Sequence, residues 1–348
     1  MAKSNIRVLV VDDSAVMRKL IRDLIEREPG FEVVGVCRNG QEGVERARQL
    51  RPDVVTMDVE MPVMDGLAAV RAIMAQDPVP VVMLSGLTAE GAEVTLRALN
   101  AGAVDFVRKP SGTVPIDIAR VAEELTGKLR AAALSNVRAL TAPPPTPQPR
   151  LAAPRVPWAI CDRVVAIGTS TGGPRALQAV VPRLPGDLPA AVLIVQHMPP
   201  RFTKSLADRL NSESALTVKE AEPGDEVRNG MALVAPGDYH MRVANGRRIE
   251  LTQEPPLWGV RPAVDIMVAS AADVFGARTL GVVMTGMGHD GRDGCGVVRR
   301  VGGRVIAEDE STCVIFGMPR AVQEAGYATA VVPLDRIAQA IVGEVPKL

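Results

Sequence analysis

Cysteine is scarce in this chain. There are four in 348 residues (Cys37, Cys161, Cys295 and Cys313), far apart and without Cys-x-x-Cys spacing. That excludes a disulfide framework and a zinc site, and it points to small buried hydrophobes in a reducing compartment. Long apolar runs are also missing. None approaches the ~20 residues that span a bilayer, so no direct membrane insertion is expected. The N-terminus lacks a signal-peptide layout, because its apolar run Ile6–Val11 is short and ends on Asp12 and Asp13. Neither charge sign is in excess, with 40 Lys+Arg against 40 Asp+Glu, and 47% of residues are hydrophobic. Such a mix buries ordinary globular cores, which excludes disorder throughout, collagen and coiled coil. A soluble, cytoplasmic protein is expected, and at ~150 residues per domain the length predicts two domains, or three. No internal repeat and no membrane-binding stripe stands out.

One segment differs from all others. Between Thr141 and Pro157, seven of seventeen residues are proline, with no aromatic and no glycine. Proline fixes φ and removes a backbone donor, so this run cannot enter a helix interior or a central strand. It reads as a semi-extended linker, because structureless loops of this length are uncommon inside a domain. The expected division is a first domain over 1–125, a helix end and linker over 126–156, and a second domain over 157–348.

Before the linker, short β-branched runs alternate with amphipathic stretches. The runs are Ile6–Val11, Phe31–Val36, Val54–Met57, Val79–Leu84 and Ala103–Val107. Ser14–Glu28 carries Val16, Leu20, Leu24 and Ile25 on one helical face, and Asp117–Leu134 is the last such stretch. This alternation predicts an α/β fold with a five-stranded parallel sheet covered on both faces. After the linker the alternation returns, with strands at Val164–Ile167, Ala191–Val195, Leu280–Met284 and Val305–Ala307 and helices starting near Pro174, Phe202, Ala263 and Gly291. Three short runs, Leu233–Val234, Met241–Val243 and Ile249–Leu251, are punctuated by Pro236-Gly237 and Asn245-Gly246, which suggests an antiparallel hairpin insertion in a doubly wound α/β domain.

In open parallel sheets, ligands gather beyond the carboxyl ends of the strands. In the first domain those ends carry Asp12 and Asp13, Asp58, Ser85, and Lys109-Pro110. Three converging carboxylates repel one another unless a cation sits among them, and hard oxygen donors suit Mg²⁺. A lysine and a serine hydroxyl at the same edge can stabilise further negative charge, such as a phosphoryl group transferred to an aspartate. Each residue alone is better explained as structural, Asp13 or Ser14 as a helix cap and Asp58 as a turn cap; the set of them at matching strand ends is not.

Asp12-Asp13, Asp58, Met61-Pro62 with Asp65-Gly66, Ser85 and Lys109-Pro110 together resemble the receiver domain of bacterial response regulators over about residues 5–125. The resemblance implies a flavodoxin-like fold, Asp58 as phosphoacceptor, and Mg²⁺ held by Asp12, Asp13 and Asp58. It also implies Ser85 and Lys109 at the phosphoryl group, Phe106 as the aromatic switch residue, and a histidine kinase as phosphodonor.

The richest stretch of the second domain is Val164-Val-Ala-Ile-Gly-Thr-Ser-Thr-Gly-Gly-Pro174. A buried strand runs into a tight turn and then a helix opened by proline. Gly168-Thr169-Ser170-Thr171-Gly172 fits Gly-x-Ser-x-Gly, in which a sharp turn lifts the serine hydroxyl clear of the sheet. A dinucleotide site would want an acidic residue after the next strand, where Gln196-His197 stands, and a P-loop would need Gly-Lys-Ser or Gly-Lys-Thr, which is absent. A plain helix start with small residues remains open from this stretch alone.

A serine nucleophile needs a base and an acid that orients the base. The chain has three histidines: His197 directly after a buried strand, His240 in the hairpin region, and His289 in the glycine-dense turn Thr285-Gly-Met-Gly-His-Asp-Gly291, which also holds Asp290. For His240 a solvated or loop-packing role is expected. Spacing leaves two orders open, Ser170…Asp265…His289 and Ser170…His197…Asp290.

Ile167–Pro174, Gln196-His-Met-Pro199, Ala235-Pro-Gly-Asp-Tyr-His240, Arg261-Pro-Ala-Val-Asp265 and Thr285–Gly291 are together similar to the chemotaxis methylesterase family, from about residue 160 onward. The resemblance implies Ser170 as nucleophile, His197 as base, Asp290 as orienting acid and the Met287 backbone N–H as oxyanion donor, with His289 demoted to a loop residue. It further implies demethylation of glutamate methyl esters and deamidation of glutamines on chemoreceptors, no cofactor for the hydrolase half, and phosphorylation of the first domain as the regulator. Two rivals are a DNA-binding output and an inactive hydrolase fold serving as a scaffold. From Pro157 onward 20 Lys+Arg face 21 Asp+Glu, a net of −1, and nucleic-acid affinity leans on a basic face, so no nucleic-acid partner is expected.

Overall fold

The computed structural model describes residues 5–86, 88–109, 118–141 and 161–348. Most of the proline-rich segment, and Pro110, lie outside them. The chain divides into two compact units, Met1–Pro143 and Pro144–Leu348. No helix among the described residues is long and apolar enough to cross a membrane.

In the N-terminal unit the β-branched runs become β1 (Ile6–Val11), β2 (Phe31–Cys37), β3 (Val54–Asp58), β4 (Val81–Ser85) and β5 (Asp105–Arg108). The stretches between and after them form α1 (Ala15–Glu26), α2 (Gly40–Leu50), α3 (Gly66–Gln76), α4 (Ala89–Asn100), α5 (Ile118–Ala133) and α6 (Val137–Thr141). Side chains fill the free N–H groups at four helix starts: Ser14, Asn39, Asp65 and Thr88 accept from Met17, Glu42, Ala68 and Gly91 at 3.3, 2.9, 2.7 and 2.9 Å. The strands are parallel in the order β2-β1-β3-β4-β5. Strand order reverses between β1 and β3, and the crevice there opens at Asp12, Asp13 and Asp58. The fourth strand begins at Val81 rather than Val79, because Pro80 has no N–H to give the ladder; its carbonyl still accepts from Val55 N at 2.9 Å.

The C-terminal unit contains β6 (Val164–Thr169), α7 (Gly173–Val180), β7 (Ala191–Gln196), α8 (Phe202–Glu213), β8 (Thr217–Glu220), β9 (Met231–Val234), β10 (His240–Ala244) and β11 (Arg248–Thr252). It continues with α9 (Val264–Phe275), β12 (Thr279–Val283), α10 (Arg292–Arg300), β13 (Arg304–Glu308), α11 (Met318–Glu324), β14 (Ala330–Val332) and α12 (Leu334–Glu344). Seven strands form one parallel sheet, β14-β13-β12-β6-β7-β9-β8, and β10 pairs with β11 as an antiparallel hairpin. The α/β classes, the first sheet and the hairpin match expectation.

One assignment needs correction. Leu233–Val234 is not part of the hairpin: β9 is buried along its whole length and pairs in parallel with β7 and β8. A four-residue apolar run reads the same in either setting, so its pattern could not separate the two. The edge strands β8 and β14 and the helices α11 and α12 had no expectation from the sequence.

The core of this unit lies between the sheet and α9, where Leu193, Val195, Val264, Val268, Phe275, Val283 and Met318 pack together. Val264, the first residue of α9, comes so close to β6 that a Cβ on Gly168 would stand 2.2 Å from its Cγ1. Gly168→Ala is therefore expected to overpack the sheet–helix contact and cost about 1–3 kcal/mol. Urea unfolding checks this, and an unchanged midpoint would show that the contact has slack.

Candidate functional site

In the N-terminal unit, ligand atoms of Asp12, Asp13 and Asp58 lie within 4.8 Å of one another. Asp12 and Asp58 are buried and Asp13 is exposed. Lys109, just past β5, reaches across the edge and places Nζ 2.8 Å from Asp12 Oδ2 and 2.6 Å from Asp58 Oδ2. Burial raises the Asp58 pKa, the Lys109 hydrogen bond and charge only partly offset it, and Asp12 adds to the rise. Burial alone would lower the Lys109 pKa, but hydrogen bonds to both carboxylates leave it raised. The three carboxylates offer the hard oxygen donors that a small divalent cation takes.

Ser85 closes β4 but its hydroxyl turns toward α4. It donates to Gly86 O at 3.2 Å or Gly91 O at 3.4 Å and accepts from Thr95 Oγ1 at 2.7 Å. Phe106 is buried in β5, with the Lys128 ammonium 5.0 Å from its ring centroid and donating to its carbonyl at 2.5 Å. Thr95 and Lys128 were not anticipated, since neither stands at a strand end.

In the C-terminal unit, three neighbouring central strands bring the candidates to one edge. The β6–β7 register ends on Thr169 opposite Gln196, so Ser170 and His197 each stand one residue beyond a matched pair. From the far side, Thr285, two residues past β12, accepts the Ser170 N–H through its carbonyl at 3.0 Å. The loop it opens carries Met287 and Asp290.

His197 Nε2 lies 2.8 Å from Asp290 Oδ2. The same oxygen accepts from Val264 N at 2.7 Å and Asp290 Oδ1 accepts from Asp265 N at 2.8 Å. Burial alone would raise the Asp290 pKa, but the His197 hydrogen bond and charge and the two α9 N–H groups bring it below the usual carboxylate value. The acid–imidazole pair is formed, while the Ser170 hydroxyl makes no hydrogen bond among the described residues. Resting structures often leave such bonds to tighten on substrate. The Met287 N–H also has no partner among the described residues, and the residue is 51% exposed.

The other order is not brought together. Asp265 accepts from Gly291 N at 2.9 Å, Gly294 N at 2.7 Å and Trp258 Nε1 at 3.0 Å. His289 packs edge-on against the Trp258 ring, centroids 4.4 Å apart. Burial pushes the Asp265 pKa up to about 6, and neighbouring Asp290 adds to that. His240 is fully buried, with Nδ1 accepting from Ala263 N and Nε2 at Pro255 O, both at 3.2 Å, which is loop packing rather than a solvated role. All four cysteines are free and buried.

Beneath the Thr285 loop lies an acid that no motif marked. Glu308 ends β13 fully buried, with Oε2 accepting from Thr285 N at 2.8 Å and Oε1 from Thr312 Oγ1 at 3.0 Å. It is a missed site residue; its one signal is an acidic residue closing a buried strand at the ligand edge.

The two units thus define a class: a phosphoacceptor-type acidic pocket in a five-stranded parallel fold, joined to an α/β fold with a serine beside an acid-held imidazole. Comparison with known proteins agrees. The family described as CheB methylesterase matches residues 165–341, and that described as response regulator receiver domain matches residues 8–118. A Symbiobacterium thermophilum protein named protein-glutamate methylesterase/protein-glutamine glutaminase is 53% identical over 347 residues, 97% of this chain and 96% of its own. A Thermotoga maritima protein of the same name is 47% identical over 340 residues, 97% of this chain and 98% of its own. The crystal structure of the Thermotoga maritima CheB methylesterase catalytic domain is 49% identical, covers 52% of this chain and 97% of its own, and superposes with a TM-score of 0.51. The chain belongs to the CheB methylesterase family.

Burial lifts the Glu308 pKa to about 7, against the pull of Thr285 N–H and Thr312. An acid with a raised folded-state value binds its proton more tightly when folded. Its contribution to stability is therefore largest below the unfolded value of about 4.3 and declines as pH rises through the folded value. Glu308→Gln, which never ionises, is expected to gain stability relative to the parent chain between about pH 5 and about pH 8. Urea midpoints at both pH values check it, and parallel shifts in the two chains would count against a titrating Glu308.

Proposed function

We propose that this chain is a phosphorylation-regulated serine hydrolase of the cytoplasm that hydrolyses glutamate methyl esters, and deamidates glutamines, on chemoreceptors during chemotactic adaptation. The observation that carries this reading is the 2.8 Å bond between His197 and Asp290 at a strand end adjacent to the Ser170 turn. The relatives' names supply the substrate class, and the matched receiver supplies the regulation.

With Nε2 held by Asp290, Nδ1 is the ring nitrogen left to serve Ser170. Ser170 Oγ attacks the γ-carbonyl carbon of the ester as His197 takes its proton. The Met287 N–H donates to the oxyanion. Collapse breaks the bond to methoxide, which takes the proton from His197 and leaves as methanol. Water then attacks the acyl-enzyme by the same relay and frees the glutamate. A glutamine substrate follows the same steps with ammonia leaving. Asp290 stays ionised and steadies the imidazolium.

In the N-terminal unit, Asp58 is the phosphoacceptor, and its carboxylate attacks the phosphorus of a phosphohistidine on a partner kinase while the bond to the imidazole nitrogen breaks. Asp12, Asp13 and Asp58 fit Mg²⁺ by donor chemistry, and bound Mg²⁺ would neutralise charge on the phosphoryl group. Lys109 supplies a second positive charge, and Ser85 a hydroxyl once it turns from Thr95. Phe106 is the switch residue. The catalytic unit is assigned 157–348, the receiver 1–125, and 126–156 a helix end followed by the linker.

Ser170→Ala is expected to abolish methanol release from methylated receptors while Asp58 still accepts phosphate. Asp290→Asn should lower kcat on the order of 10³–10⁴-fold. Methanol release by Ser170→Ala at the parent rate would overturn the nucleophile assignment. Independently, Asp58→Asn and Mg²⁺ chelation should each abolish labelling by a small phosphodonor such as acetyl phosphate and leave unstimulated ester hydrolysis intact. Undiminished labelling would remove Asp58 from its role.

A further inference from the structure

The matched pairs of β6 and β7 end at Thr169 and Gln196, one residue before the proposed nucleophile and base. The last backbone bond between them runs from His197 N to Thr169 O at 3.2 Å. Ser170 then turns its N–H away to Thr285 O on the other side. The connection between the two strand ends is continued by a side chain. Gln196 is 2% exposed, and its Nε2 donates to Ser170 O at 3.0 Å and to His197 O at 3.2 Å. Its Oε1 accepts from Thr169 Oγ1 at 2.7 Å.

The amide can stand only one way round. Reversed, Oε1 would face two carbonyl oxygens with no proton between them, whereas the observed orientation fills both N–H donors and the acceptor. A buried side-chain amide bonded at every polar atom is held rigidly. The neighbouring chain is shaped around it, since a Cβ at position 173 would stand 1.9 Å from Gln196 Oε1, which is why α7 opens on glycine.

We propose that Gln196 is a positioning residue for the hydrolase: one amide group ties the carbonyls of Ser170 and His197 together and so sets the distance between nucleophile and base. This rests on Ser170 and His197 holding those roles. Displacement of reacting groups by about 1 Å can cost on the order of 100-fold in rate, and the Gln196 bonds to both strand ends resist such a displacement.

The test uses the full chain. Gln196→Glu keeps size and shape but turns carboxylate oxygens toward both carbonyls, and Gln196→Met keeps length and packing without donors. Both are expected to lower kcat for methyl-ester hydrolysis on the order of 100-fold, with KM unchanged and phosphorylation of Asp58 intact. Parent-level kcat in either folded variant, or a raised KM with kcat preserved, would overturn the proposal. On the unmodified chain both Gln196 side-chain N–H protons should exchange slowly with deuterated solvent, and rapid exchange would overturn it whatever the variants do. If Ser170→Ala keeps parent activity, the nucleophile reading fails instead, a result separable from failure of the Gln196 tie.

Discussion

A buried carboxylate must have its lone pairs filled, and the C-terminal unit is arranged around that requirement at Asp290. Loss of water around an ionised acid is tolerated only where charge-assisted hydrogen bonds replace it. Asp290 takes the first two N–H groups of α9 and the imidazole of His197. Asp265, inside that first turn of α9, returns the favour to the start of α10 by accepting from Gly291 and Gly294. Each acid thereby caps the helix on which, or just before which, the other stands. The loop after β12, the start of α9 and the end of β7 are locked to one another by this exchange, and the close approach of Val264 to Gly168 ties the lock to β6.

The N-terminal unit meets the same requirement differently. Asp12 and Asp58 share the ammonium of Lys109 rather than helix N–H groups. The lysine sits beside one oxygen of each and Asp13 is exposed to solvent, which leaves an edge whose oxygen donors suit a cation. A carboxylate fully bonded to backbone N–H groups, as Asp290 is, has no such freedom and suits a fixed electrostatic role. Both arrangements occupy the carboxyl edge of a parallel sheet where strand order reverses, the place open α/β sheets leave for ligands.

Much of this was legible in the sequence because strand-end residues announce themselves. Asp12, Asp58 and Lys109, and in the other unit Ser170 and His197, each follow or close a β-branched run, so pattern alone put them at one edge. Hydrophobic pattern reports burial and not partner, which is why Leu233–Val234 passed for a hairpin strand and why β8 and β14, short and half-exposed, went unseen. Choosing Asp290 over Asp265 needed family likeness, since both lie near strand or helix ends and both turn out to be buried acids bonded to backbone N–H groups. The bonds of Gln196 and Glu308 were hidden for another reason: they run to loops far along the chain, and no local pattern encodes a partner 23 or 26 residues away, although Glu308 closes a buried strand.

Two buried acids at one sheet edge, Asp290 and Glu308, are pushed in opposite directions, and the difference bears on the chemistry. Asp290 is held below the usual carboxylate value despite its burial, by the His197 hydrogen bond and charge and the two α9 N–H groups. Glu308, with a hydroxyl and one N–H as partners, is lifted by burial to about 7. A second fixed negative charge beneath the Thr285 loop would oppose the oxyanion of the chemistry proposed at Ser170. A carboxyl that can stay neutral anchors the same loop through Thr285 N–H without that opposition. Opposed shifts in neighbouring carboxyl groups are how one site keeps one acid charged and another neutral; here burial raises Glu308, while at Asp290 the His197 hydrogen bond and charge, helped by two α9 N–H groups, overcome burial.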